Sequence, residues 1–66
     1  MTAAEFQRLP FLLRRAQVLA ATGWSIETFR QEAAARDGQL RPAVVGRGKG
    51  RRFRKVVVAQ IIGLPV

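Results

Sequence analysis

Read from its first residue, the chain sets apolar positions at helical spacing as far as about residue 36. After residue 40 it changes to short valine runs and an alternating Arg-Phe-Arg. The first part predicts helices and the second strands. Thr2-Ala3-Ala4-Glu5 before Phe6 has the spacing of a capping box, so a short turn of helix opens the chain and Leu9-Pro10 ends it. Phe11-Leu12-Leu13 reads as an extended lead-in that crosses the core. Residues 14–22 predict a helix whose inner positions are Ala16, Leu19 and Ala20 or else Val18 and Ala21, closed by Gly23. Ser25 is the N-cap of a second helix over residues 26–36, with Glu27 in its first turn where a negative charge suits the helix dipole. Ile26, Phe29 and Ala33 fall at i, i+3 and i+7 and form its core stripe, and Glu27, Thr28, Arg30, Gln31 and Ala34 point elsewhere.

Asp37-Gly38 stops that helix. Pro42-Ala43-Val44-Val45 and Arg52-Phe53-Arg54 then suit two short strands, joined by the basic, glycine-rich tip Gly46-Arg47-Gly48-Lys49-Gly50-Arg51. Residues 55–62 are ambiguous: three valines in a row favour a strand, whereas Val58, Ile61 and Ile62 at i, i+3 and i+4 favour a helix. Gly63 with Pro65 beyond it is helix-stop punctuation and decides for a helix. The expected fold is α+β, mostly α. It is a single domain over residues 1–66: a winged helix-turn-helix of two helices, a short β-hairpin wing and a C-terminal helix, with residues 1–11 as a loosely packed N-terminal arm. Trp24 and Phe53 are expected to plug the core at the turn and at the base of the wing.

Composition tightens this picture. Sixty-six residues without cysteine must stand on a small core, and ten of the apolar residues are alanine. Absence of histidine and cysteine removes thiol nucleophiles, Ser-His-Asp triads and zinc fingers, and four scattered acids offer no catalytic constellation. No enzyme activity, metal or cofactor is expected, nor any membrane span, and the expected location is cytoplasmic and nucleoid-associated.

Charge changes the picture most. Twelve basic residues face four acidic ones, a net +8, and ten of the twelve are arginine. Residues 1–40 hold only +1 of it. In the remainder Arg41, Arg47, Lys49, Arg51, Arg52, Arg54 and Lys55 meet no acid at all. Interleaved with Val44, Val45 and Phe53, this run reads as an ordered basic hairpin rather than a disordered tail. Guanidinium forks suit phosphates and guanine edges, so nucleic acid is the leading partner and an anionic membrane surface the second.

Residues 12–63, about four fifths of the chain, resemble the small winged-helix excisionases, or recombination directionality factors, of phages and integrative elements. They also resemble the related regulators with a mercury-resistance-regulator type helix-turn-helix. The resemblance is carried by Ala16-Gln17-Val18-Leu19, by Gly23-Trp24-Ser25-Ile26-Glu27-Thr28-Phe29-Arg30, by residues 46–54 and by the final apolar helix. Gln17 stands where those proteins commonly have Glu, Trp24 is bulkier than their usual Val, and Ile26 replaces a polar residue or Pro.

The resemblance implies a sequence-specific double-stranded DNA-binding protein that binds adjacent sites, bends DNA and directs an integrase of the tyrosine or serine class toward excision. The second helix would enter the major groove and offer Ser25, Glu27, Thr28, Arg30 and Gln31. The wing would hold phosphates through Arg47, Gly48, Lys49, Arg51 and Arg52, with Arg14, Arg15 and Arg54 as further contacts. With about six phosphates neutralised, the binding constant would fall with salt at a log-log slope of roughly five. The apolar end, residues 61–66, would either meet a neighbouring copy or integrase or complete the core. Two readings stand beside this one: a small transcriptional regulator of a mobile element with the same fold, and an RNA- or ribosome-binding basic module.

Overall fold

The computed structural model describes residues 1–64. Four α-helices and three short strands follow one another as α1 (Ala3–Gln7), β1 (Leu12–Leu13), α2 (Arg15–Thr22), α3 (Ile26–Ala34), β2 (Val44–Val45), β3 (Arg52–Arg54) and α4 (Lys55–Ile62). Turns of 3-10 helix cover Arg41–Ala43 and Gly48–Gly50. The fold is α+β and mostly helical. β3 lies between β1 and β2 in an antiparallel sheet, with Leu13 and Val44 both opposite Phe53, Leu12 opposite Arg54 and Val45 opposite Arg52.

Local chemistry explains most helix ends. Thr2 and Glu5 form the reciprocal capping box: Glu5 N–H donates to Thr2 Oγ1 at 3.1 Å and Thr2 N–H to Glu5 Oε1 at 3.2 Å. These bonds, the backbone one from Thr2 first, hold the Glu5 carboxyl below its ordinary pKa. At α2, Arg14 N–H donates to Gln17 Oε1 at 2.9 Å. Gln17 thus takes the N3 place of a capping box. Gly23 takes φ +73° after α2, a left-handed conformation open to glycine, and the Thr22 hydroxyl, bonded to the Val18 carbonyl at 2.8 Å, accepts from Trp24 N–H. Gly63 closes α4 in the same way.

Nearly every element sends a side chain into one core: Phe6, Leu13, Val18, Phe29, Ala33, Leu40, Ala43, Phe53, Val58 and Ala59. Phe29 of α3 and Phe53 of β3 meet edge to face at 5.2 Å, which keys the helix to the hairpin. α2 packs mainly on α4 and β3, while α3 packs on the Arg41–Ala43 turn. Trp24, Ile61, Ile62 and Leu64 are half-buried against this core. Pro65 and Val66 of the expected apolar end lie outside the described residues.

Four expectations need correction. Residues 1–11 are no loose arm: Phe6 is fully buried, and Lys55 Nζ donates to the Gln7 and Leu9 carbonyls at 2.8 and 3.0 Å while lying 5.5 Å from the Phe6 ring. Phe11-Leu12-Leu13 does not cross the core. Leu12 and Leu13 form an edge strand that buries only Leu13, and Phe11 before it is 66% exposed. In α2, by contrast, the second of the two inner sets holds, with Val18 buried and Ala21 half-buried, while of the first Leu19 is half-buried against the core and Ala16 and Ala20 are exposed. Ile26 leaves the core stripe of α3, of which Phe29 and Ala33 alone are buried. Finally α3 ends at Ala34 rather than Arg36. Gly38 packs so closely on the backbone of Glu32 that a Cβ there would overlap its carbonyl, and Arg41 Nη1 donates to the Ala34 carbonyl at 2.9 Å. These tertiary contacts override the helix propensity of Ala35-Arg36. They also make Pro42-Ala43 part of a turn, so β2 keeps only the two valines.

Candidate nucleic-acid interface

The exposed face of α3 is chemically mixed. Glu27, Arg30 and Gln31 are exposed as the sequence predicts, and Ile26 joins them at 50%. Ile26, Arg30 and Ala34 are spaced four residues apart and form one row along the helix. Ser25 and Thr28 are committed elsewhere. Ser25 Oγ accepts from Thr28 N–H at 3.2 Å and donates to Thr28 Oγ1 at 3.0 Å, so both hydroxyls serve the N-cap.

At the other end of that row the helix meets the hairpin. Ala33 and Ala34, Arg41, Val44, and Gly46, Arg47, Gly48 and Arg51 of the β2–β3 loop line an open cleft of about 570 Å³. Three arginines face it and no carboxylate does. Two of them are held by the chain itself: Arg41 through the Ala34 carbonyl, and Arg51 with its guanidinium 5.3 Å from the Phe53 ring centroid. Gly46 lets the loop begin its turn, with φ +82° and room only for a hydrogen where a Cβ would come within 3.1 Å of the Gly50 carbonyl. A guanidinium bonded through one nitrogen keeps other N–H donors for a ligand, so this cleft can accept an anion with little further ordering.

The remaining basic residues divide into braces and open cations. Arg52 Nη1 donates to the Lys49 and Arg51 carbonyls at 3.2 and 2.9 Å and ties the loop to β3. Arg54 Nη1 reaches the Pro42 carbonyl at 3.1 Å. Lys55 is buried partway beneath α1. Arg47 and Lys49 are exposed on the loop, with no side-chain hydrogen bond among the described residues. Arg14 and Arg15 are exposed at the start of α2, on a different element from the cleft. The structure thus brings Arg47, Gly48 and Arg51 together with the end of α3, and turns Arg52 and Arg54 into braces.

Two contributors escape the sequence reading. Arg41 belongs to the basic run but carries no motif that marks it as part of a site. Ile26 is hidden by its own periodicity, which assigns it to the core. No group of three metal-ligating side chains occurs among the described residues, and no described helix is long and apolar enough to cross a membrane. Compared with protein-family models, with curated proteins and with solved structures, the chain matches none.

Proposed function

We propose that the protein binds double-stranded DNA sequence-specifically as a winged helix, with α3 in the major groove and the β2–β3 loop as the wing along the flanking backbone. The observation that carries this reading is the cleft where α3 meets the loop, walled by Arg41, Arg47 and Arg51 without a compensating acid. The order helix, strand, helix, helix, hairpin, with the first strand added to the hairpin's second, supports the winged-helix assignment. So does the Gly23-Trp24-Ser25 turn between α2 and α3.

Phosphates bind in the cleft and at Lys49, and Arg30 with Gln31 reads base edges. Arg bonds guanine O6 and N7, and Gln bonds adenine N6 and N7. A domain this small covers few base pairs, so specific binding comes from several copies on adjacent sites. That mode suits an architectural role beside an integrase of a mobile element, the role the resemblance implies. With Arg41, Arg47, Lys49 and Arg51 as the phosphate set, the salt slope comes to about 3.5 rather than five.

The test is competition between a selected duplex and structured RNA, using the wild type, Arg30→Ala and the double variant Arg47→Ala/Arg51→Ala. Preference for the duplex, lost in sequence selectivity with the first variant and in overall affinity with the second, is the expected result. Equal or stronger RNA binding makes the protein an RNA-binding module instead.

A further inference from the structure

Ile26 is not part of the core among the described residues. It is the first residue of α3, and half of it stands in water. A β-branched residue is not favoured there by helix propensity, and an exposed apolar side chain gains nothing until something apolar covers it. Its setting narrows what that is. Ile26 shares a row with Arg30, which in turn leads to Ala34 at the wall of the basic cleft. Eight residues of helix separate Ile26 from Ala34, about 12 Å, roughly the width of a major groove.

A surface row with an apolar head, a guanidinium in its middle and an anion cleft at its foot fits a groove wall with the matching sequence of groups. The apolar group that B-DNA presents in its major groove is the C5-methyl of thymine. We infer that Ile26 is a specificity-determining residue that packs on a thymine methyl next to the base pair read by Arg30, an inference that rests on the DNA-binding reading above. Residues at the N-terminal end of a recognition helix are the ones that meet base edges, and Ile26 holds that position. Bases without the methyl leave Ile26 facing the water-lined groove, so discrimination is between thymine and uracil as well as between thymine and cytosine. 5-Methylcytosine, which carries the same methyl, is accepted in part.

The experiment uses the full chain. Duplexes are first enriched from a random library, and each thymine of the enriched site is then replaced singly by deoxyuridine, which removes one methyl and no hydrogen bond. Dissociation constants are measured for the wild type and for Ile26→Ala, with circular dichroism confirming that the variant keeps its helix content. One replacement is expected to weaken wild-type binding about fourfold, the size of one buried methyl. The same replacement has no effect on Ile26→Ala, whose affinity for the thymine duplex matches that of the wild type for the uracil duplex. Wild-type binding indifferent to every methyl, or an Ile26→Ala variant that keeps the fourfold loss, overturns the inference while leaving DNA binding intact. Failure to enrich any duplex overturns the DNA-binding reading and the inference with it.

Discussion

The exposed face of α3 and the β2–β3 loop lie side by side, yet their chemistry is opposite. The helix offers an apolar side chain, an acid, a base and an amide in Ile26, Glu27, Arg30 and Gln31. The loop and its cleft offer three arginines and glycine backbone beside the small apolar side chains of Ala33, Ala34 and Val44, with no acid among the lining residues. Mixed chemistry can reject as well as accept, because an unpaired acid or a stranded apolar group carries a cost on the wrong ligand. Uniform positive charge grips any polyanion. In the proposed mode the two regions therefore divide affinity from choice, and the Phe29–Phe53 contact at 5.2 Å keeps their geometry fixed.

The largest effect on this arrangement comes from its shared anchor. Phe53→Ala removes the ring that Phe29 meets and leaves a cavity at the centre of a small core, at a cost of about 3–5 kcal/mol. A thermal melt should show a broad transition or none, with the two regions lost together. Gly38→Ala follows, at about 2–3 kcal/mol, because the new Cβ overlaps the Glu32 carbonyl and the chain must move where α3 gives way to the Arg41 turn.

Next come changes that separate braces from gripping cations. Lys55→Ala removes the two ammonium bonds to the Gln7 and Leu9 carbonyls and should destabilise the fold by about 1–3 kcal/mol, while leaving the salt slope of the proposed DNA binding unchanged. Arg47→Ala does the reverse, lowering the slope by about one with the melting temperature within a degree or two of the wild type. If the two variants behave alike, the division of the basic run into structural and binding cations is wrong.

The smallest effect concerns acid. The Glu5 carboxyl has its pKa lowered by Thr2 in the folded chain, so its contribution to stability is present above the ordinary carboxylate range and is lost as the pH falls through the lowered value. Glu5→Gln should flatten that limb of the stability profile slightly and leave the proposed DNA binding at neutral pH untouched. Unchanged acid sensitivity in Glu5→Gln would place the titrating group elsewhere.

Elements whose ends are written in local chemistry were legible in the sequence. Thr2 with Glu5, Gly23, Ser25 and Gly63 mark helix ends, and Arg52-Phe53-Arg54 marks a strand by alternation. What depends on distant partners was not. β1 is two residues long and becomes a strand only because β3, forty residues on, supplies its hydrogen bonds. Lys55 looks like one more cation of the hairpin until the chain folds and sets it under the carbonyls of residues 7 and 9. Ile26 obeys the helical period of the core, but the period fixes only which residues share a face, and Ile26, the first residue of α3, stays 50% exposed while Phe29 and Ala33 are buried.

The division of labour is tested most directly by the ratio of dissociation constants on an enriched and a scrambled duplex, measured for the wild type and for Arg47→Ala/Arg51→Ala. The account predicts that both constants of the double variant rise by a similar factor, so that the ratio is preserved and the salt slope falls by about two. A ratio that collapses toward one while binding to scrambled DNA is unchanged would contradict it, since the loop would then be choosing and not gripping.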